Sequence, residues 1–193
     1  VSSIRRVPSR RLSQAIAEGA GTSLLFELDD PAAVPAEGLE AGGVVLRGTS
    51  LHSGISVLPV LAYCPTPVEA AALGADAVVV EASTDEEELV AFADRAAELG
   101  LELVVRADDE DDVSRVLDSI DPEIFLLAGR VDDDTEVGQL EKLLSLLPDV
   151  PAGKLAIAEL SDATRADIEE LEKQYSLVAD DYPVPNTFTG EVN

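Results

Sequence analysis

The residues that could do chemistry in this chain sit where apolar runs stop. LLFELDD (24–30) ends in Glu27, Asp29 and Asp30. Arginine stands near the end of three other runs: Arg47 in GGVVLRG, Arg106 in LELVVRA and Arg130 in EIFLLAGR. Tyr63 closes ISVLPVLAY, Asp108 follows Arg106 by two, Glu159 ends KLAIAEL and Asp180 ends YSLVAD. Three kinds of chemistry suit this set. Guanidinium forks match anions in a bidentate way, so Arg47, Arg106 and Arg130 form a candidate anion site. Carboxylate oxygens suit hard cations, which makes Glu27, Asp29, Glu159 and Asp180 candidate metal ligands, a weak signal in so acidic a chain. The plainest expectation joins the two sets as an internal ion lattice, because charges carried into a protein interior must be paired. No cofactor motif accompanies them, and none is expected.

Single residues add little. His52 falls in a loop segment and reads as a surface residue. Cys64 is the one cysteine, so an internal disulfide and a Cys/His metal cage are both excluded by count. As a nucleophile it would need a partnering base, and the chain shows no such motif; a buried thiol is expected.

Positioning these side chains requires strands that are buried on both faces. From residue 55 onward, continuous Val/Leu/Ile runs alternate with helical patterns. The runs are 55–64, 75–83, 101–107, 123–130, 154–160 and 175–181; the helical patterns are 66–74, 84–100, 109–120, 135–147 and 162–174. Continuous rather than alternating apolar strands mark a parallel sheet covered on both sides. Thr84 with Glu87 three residues on predicts a capping box, Asp162 or Thr164 opens the last helix, and Gly74 and Gly100 fall where helices end. Two further strands, 22–28 and 42–48, come earlier, joined by Pro/Gly-rich connections too short for more than a turn of helix. Eight parallel strands predict a compact (βα)8 TIM barrel with its first βα units shortened. A doubly wound open parallel sheet is the alternative. The 193 residues read as a single domain, 1–193, with a basic lead-in over 1–20 and an irregular tail over 182–193.

Composition narrows the partners. The chain carries 39 acids against 13 bases, a formal net charge of −26. The acids are spread over every helical pattern, as expected of a halophilic protein whose hydrated carboxylate coat is screened by molar salt. Nucleic-acid binding is not expected without a basic stripe. The basic cluster of Arg5, Arg6, Arg10 and Arg11 is expected to pack over the acidic domain and lower its repulsion, or else to meet an acidic partner. No apolar stretch approaches the roughly 20 residues that span a bilayer, and no signal-peptide pattern opens the sequence, so a cytoplasmic setting is expected. The oligomeric state is not legible.

Several longer stretches resemble the indole-3-glycerol phosphate synthase family, the (βα)8 carboxy-lyases of tryptophan biosynthesis. RRVPSRRLSQAIAEG is similar to that family's lead-in to its first strand. PVEAAALGADAVVVEASTDEEELVAFADRAAELGLELVVRADDEDDVSRVL resembles its third to fifth strands, and GRVDDDTEVGQLEKLLSLLP with LAIAELSDATRADIEEL continues the likeness. Most of residues 5–181 are covered, least well at 29–54.

The resemblance implies catalytic positions, and this chain departs from most of them. The family's first strand ends Glu-Ile-Lys; here it is Glu27-Leu28-Asp29. Its general-acid lysine on strand 3 is matched by Tyr63, its general-base glutamate on strand 5 by Arg106, and its strand 6 asparagine by Ala128, with Arg130 nearby. The strand 7 glutamate is kept as Glu159. The phosphate-cradling Gly-Ser after strand 8 is matched by Asp180-Asp181. Glu27 and Glu159 are thus the catalytic positions that match, and Tyr63 and Arg106 are substituted ones. A ring closure with loss of carbon dioxide and water needs a cation for the substrate carboxylate, a proton donor, a carboxylate base and amides for phosphate. Losing all of these together predicts that the lyase activity is gone and that the protein serves as a non-catalytic partner or structural protein. The alternatives are an enzyme of altered specificity acting on a phosphosugar-like anion, and a genuine but unusual synthase.

Overall fold

The computed structural model describes Ser13, residues 60–128 and 138–160, residues 166, 167 and 170, and the backbone of strands at 24–28, 43–47 and 177–180. The strands are β1 (Leu24–Leu28), β2 (Gly43–Arg47), β3 (Val60–Tyr63), β4 (Ala77–Glu81), β5 (Glu102–Ala107), β6 (Ile124–Leu127), β7 (Leu155–Leu160) and β8 (Leu177–Asp180). Helices α1 (Pro67–Leu73), α2 (Glu86–Glu98), α3 (Glu110–Ser119) and α4 (Gln139–Leu146) lie between successive strands from β3 to β7.

Pairing is parallel throughout and follows sequence order, and β8 returns to pair with β1. A doubly wound sheet reverses its strand order at a switch point; no such reversal occurs among these strands. The fold is a parallel α/β fold of the TIM-barrel type.

The two strand faces bury different partners, which is why the runs are apolar without alternation. Leu61, Ala77, Val79, Val104, Ile124, Leu126 and Ile157 pack against one another from five strands and fill the interior. The opposite parity, including Val80, Val105, Phe125, Leu127 and Ala158, packs against Leu89, Val113, Val116, Leu143 and Leu146 of the helices. A third cluster, with Ala62, Ala70, Val78 and Ala96, seats α1 and α2 on β3 and β4. Small residues at Ala70 and Ala96, both fully buried, let the helices approach the sheet closely.

Helix boundaries follow local chemistry. Thr66 caps α1 by accepting from the Glu69 N–H, and Pro67 occupies the first turn, where its missing N–H costs nothing. Gly74 ends α1 at φ 79°, the left-handed conformation that glycine adopts without strain. The cap of α2 is Asp85, which accepts from the Glu87 N–H; the expected box on Thr84 is therefore displaced by one residue. Aspartate at 85 is as good an acceptor as threonine, and starting there places Glu86, Glu87 and Glu88 together in the first turn, favourable to the helix dipole. Asp109 caps α3 in the same way, accepting from Asp112 N–H at 2.9 Å.

Candidate functional site at the strand ends

Period-2 alternation carries the interior parity of each strand to its C-terminal end, where apolar residues give way to polar ones. Tyr63 follows Leu61 on β3, Glu81 follows Val79 on β4, Arg106 follows Val104 on β5 and Glu159 follows Ile157 on β7. In TIM-barrel enzymes this is the face on which active sites are built. Register brings Glu81 directly opposite Arg106 on neighbouring strands.

Arg106 is the hub. Its Nε donates to Glu159 Oε2 at 2.7 Å and its Nη1 donates to Glu81 Oε2 at 3.1 Å. Asp108 Oδ1 lies 3.1 Å from the same Nη1 as an ion pair, outside hydrogen-bond angles, and finds no hydrogen-bond donor among the described residues. Tyr63 donates its hydroxyl proton to Glu159 Oε1 at 2.9 Å. Both Glu159 oxygens are thus engaged, and among the described residues Glu159 is the one charged residue in the buried set, 7% exposed. Burial alone would make the Arg106 guanidinium easier to deprotonate, but Glu159, then Glu81 and Asp108, outweigh it and push its pKa further above the usual arginine range.

Second contacts fix this arrangement. Asp112 on α3 accepts from the Asp108 N–H at 3.0 Å and also meets Arg115, whose Nη2 donates to the Ala82 carbonyl at 2.8 Å. The end of β5, the start of α3 and the end of β4 are thus tied at one corner. On the other side Gln139, the first residue of α4, donates from Nε2 to the carbonyls of Ala128 and Glu159 at 3.0 and 3.3 Å, holding the ends of β6 and β7 in step.

Of the residues singled out in the sequence, the structure brings Tyr63, Arg106, Asp108 and Glu159 together. Glu27, Arg47 and Asp180 lie on β1, β2 and β8, where only the backbone is described; Asp29, Arg130, Asp181 and His52 lie outside the described residues. Cys64, just past Tyr63, is buried, and burial together with the nearby Glu69 carboxylate pushes its thiol pKa up, the opposite of what a nucleophile requires. Two participants were not singled out. Glu81 had a signal, since it continues the interior parity of Ala77 and Val79 at the end of its strand. Gln139 had none, because its role depends on how α4 returns over the sheet.

Among the described residues no group of three or more His, Cys, Asp or Glu side chains is placed to hold a metal ion. Arg106 itself occupies the space between Glu81, Asp108 and Glu159. Among the described residues, three carboxylates on one guanidinium give the cluster a formal charge of −2, a poor setting for an incoming anion, and the guanidinium itself has no acceptor to take a proton at position 106.

No family model matches the sequence. The fold is similar to that of 3-hexulose-6-phosphate synthase from Salmonella typhimurium, with a TM-score of 0.63 at 16% identity over 82% of this chain and 88% of that one. It is also similar to a variant of the citrate synthase SbnG, with a TM-score of 0.59 at 12% identity over 89% of this chain and 91% of that one. At such identities the likeness is one of fold.

Proposed function

We propose that this chain is a diverged barrel of the indole-3-glycerol phosphate synthase type, a compact (βα)8 unit with its first βα units shortened, that has lost the lyase reaction and acts as a non-catalytic partner or structural protein. The observation that carries this reading is Arg106. It stands where the resembling family places its general base, and it is engaged by Glu159, Glu81 and Asp108. A guanidinium held this firmly in its charged form takes no proton from a substrate. Tyr63, in the general-acid position, has its hydroxyl committed to Glu159.

A second reading, an enzyme acting on an anionic phosphosugar, draws on two points. One is the fold shared with a hexulose-phosphate synthase. The other is Arg106 Nη2, which makes no hydrogen bond among the described residues and so retains two donors. Against it stands the excess of carboxylates at the same place.

The test is an assay of purified protein in molar KCl with the carboxyphenylamino-deoxyribulose phosphate substrate of the lyase, paired with melting curves in the presence of hexulose and ribulose phosphates. The proposal expects neither indole-glycerol phosphate nor a rise in melting temperature. Turnover of the lyase substrate would overturn it, and stabilisation by a phosphosugar alone would establish the second reading.

A further inference from the structure

A cleft of about 770 Å³ runs between α1 and α2 and meets the strand ends at Tyr63 and Glu81. It follows from the unequal lengths of the two helices. α1 has seven residues and α2 thirteen, about 10 Å against about 20 Å at ~1.5 Å per residue, so α1 covers only part of its neighbour. The stripe Glu88, Ala91, Phe92 and Arg95, one face of α2 at helical spacing, is left lining the gap. Val68 of α1 and Val80 of β4 line it as well. Val68 is 49% exposed, the most open large apolar side chain among the described residues. Small-molecule sites are clefts of roughly this size, mostly apolar with a few polar groups to orient the ligand.

The polar groups that remain available here are acids. Glu81 Oε2 accepts from Arg106 Nη1 at 3.1 Å, while its Oε1 makes no hydrogen bond among the described residues. Glu88 has no basic partner among the described residues. Arg95, the one base on the lining, is engaged by Glu98 at 2.6 Å. The N-terminal ends of α1 and α2 would otherwise favour an anion, but they already face Glu69 and the run Glu86, Glu87 and Glu88. An anionic head therefore finds no open cation in this cleft, whereas a cationic one finds carboxylates beside apolar and aromatic surface.

We propose that the cleft is a binding site for a small organic cation, an ammonium carried on an aromatic or branched apolar body. The body packs on Val68, Ala91 and Phe92, and the ammonium meets Glu81 and Glu88. Glu81 belongs both to this cleft and to the Arg106 cluster, so binding also offsets one of the two uncompensated negative charges there. The site stands apart from the loss of the lyase reaction, since a protein without that reaction can still bind a ligand.

The test is a titration of the isotope-labelled full chain in molar KCl with three probes of one shape, phenethylammonium, phenylethanol and phenylpropionate, read by amide chemical shifts. Phenethylammonium should shift the amides of 64–68 and 81–92 saturably, and the neutral and anionic probes should bind roughly tenfold more weakly or worse, as expected for one lost charge-assisted contact. Glu88→Gln should weaken the cation severalfold. Ala91→Trp fills the cleft from an exposed position, so it should abolish binding and leave the melting temperature unchanged. No saturable shift, or equal binding of all three probes, would overturn the proposal. So would shifts spread over the acidic surface and indifferent to Ala91→Trp, which would mark unspecific counterion binding. A chain that self-associates and becomes monomeric on Ala91→Trp would overturn it too, and would assign the cleft to a second copy.

Discussion

Replacing Arg106 by methionine removes the only cation among the described residues at the Glu81–Asp108–Glu159 cluster while keeping an apolar stem of similar reach. The cost is dominated by Glu159, whose side chain is 10% exposed and would keep the Tyr63 hydroxyl but lose the guanidinium. Breaking one side of a buried ion pair costs ~3–5 kcal/mol. Arg106 is 22% exposed and the Glu81 side chain 48%, so the Glu81 arm behaves as a surface pair and adds little. The expected loss is therefore about 3 kcal/mol, which for a chain of this size corresponds to a fall in melting temperature of roughly 6–12 °C.

The pH dependence has a definite sign. Arg106 has a folded-state pKa raised above its unfolded value, so its contribution is fully present below the unfolded value and is lost only as pH rises through the folded one. That window lies beyond ordinary alkaline conditions, and wild type should show no loss from Arg106 up to mildly alkaline pH. In the methionine variant the carboxylates of the cluster face one another without their cation, and lowering the pH reduces that excess of negative charge, so the deficit should shrink in acid. Urea unfolding followed by circular dichroism in molar KCl, at neutral pH and near pH 5, measures both effects. Arg95→Met is the control, since Arg95 pairs with Glu98 on the surface of α2 with side chains 49% and 64% exposed, and should cost ~0.5 kcal/mol or less. If Arg106→Met proves as mild as Arg95→Met, or if its deficit does not shrink in acid, Arg106 does not hold a buried lattice together.

Tyr63→Phe should cost about 1 kcal/mol in the same unfolding experiment, the usual worth of one hydrogen bond, because Glu159 keeps its Arg106 partner. Asp109→Ala should cost ~1 kcal/mol through loss of the α3 cap, with local amide exchange at the start of that helix rising first. Cys64 should react with iodoacetamide far more slowly at neutral pH than a free peptide thiol, and unfolding in urea should abolish the difference. With a formal charge of −26, the chain should lose melting temperature steadily as KCl is lowered from molar concentration, because the Debye length grows from ~3 Å at 1 M to ~30 Å at 0.01 M. A melting temperature indifferent to salt would remove the halophilic reading.

The architecture was legible because continuous apolar runs such as LAIAEL and ELVVRA have one explanation, a parallel strand buried on both faces, and because helical patterns separate them. Boundaries were less so. Thr84 was expected to cap the helix after β4, whereas Asp85 does so. At the site, Arg106, Glu159 and Tyr63 could be named because they end runs whose interior parity is fixed. Their mutual contacts could not, since these depend on strands far apart in sequence: Tyr63 and Glu159 are 96 residues apart and meet only once the strands have curved round. Gln139 was silent because the partners of its Nε2, the carbonyls of Ala128 and Glu159, are backbone groups placed by packing.

The hydrogen bond between Tyr63 and Glu159 has a mechanical consequence. β3 and β7 stand four places apart in a ring of strands, so this contact runs across it rather than around it. Apolar layers resist separation but offer little directional resistance to sliding; a hydroxyl fixed on one carboxylate oxygen and a guanidinium fixed on the other do not tolerate a shift of an ångström. The Arg106–Glu159 pair links β5 to β7, and Arg106–Glu81 continues the link to β4. Four strands drawn from both halves of the chain thus share one keystone. Neither half can open without stranding charge belonging to the other, which makes the domain fold and unfold as one cooperative block and leaves a chain divided between β4 and β5 without a self-sufficient fragment.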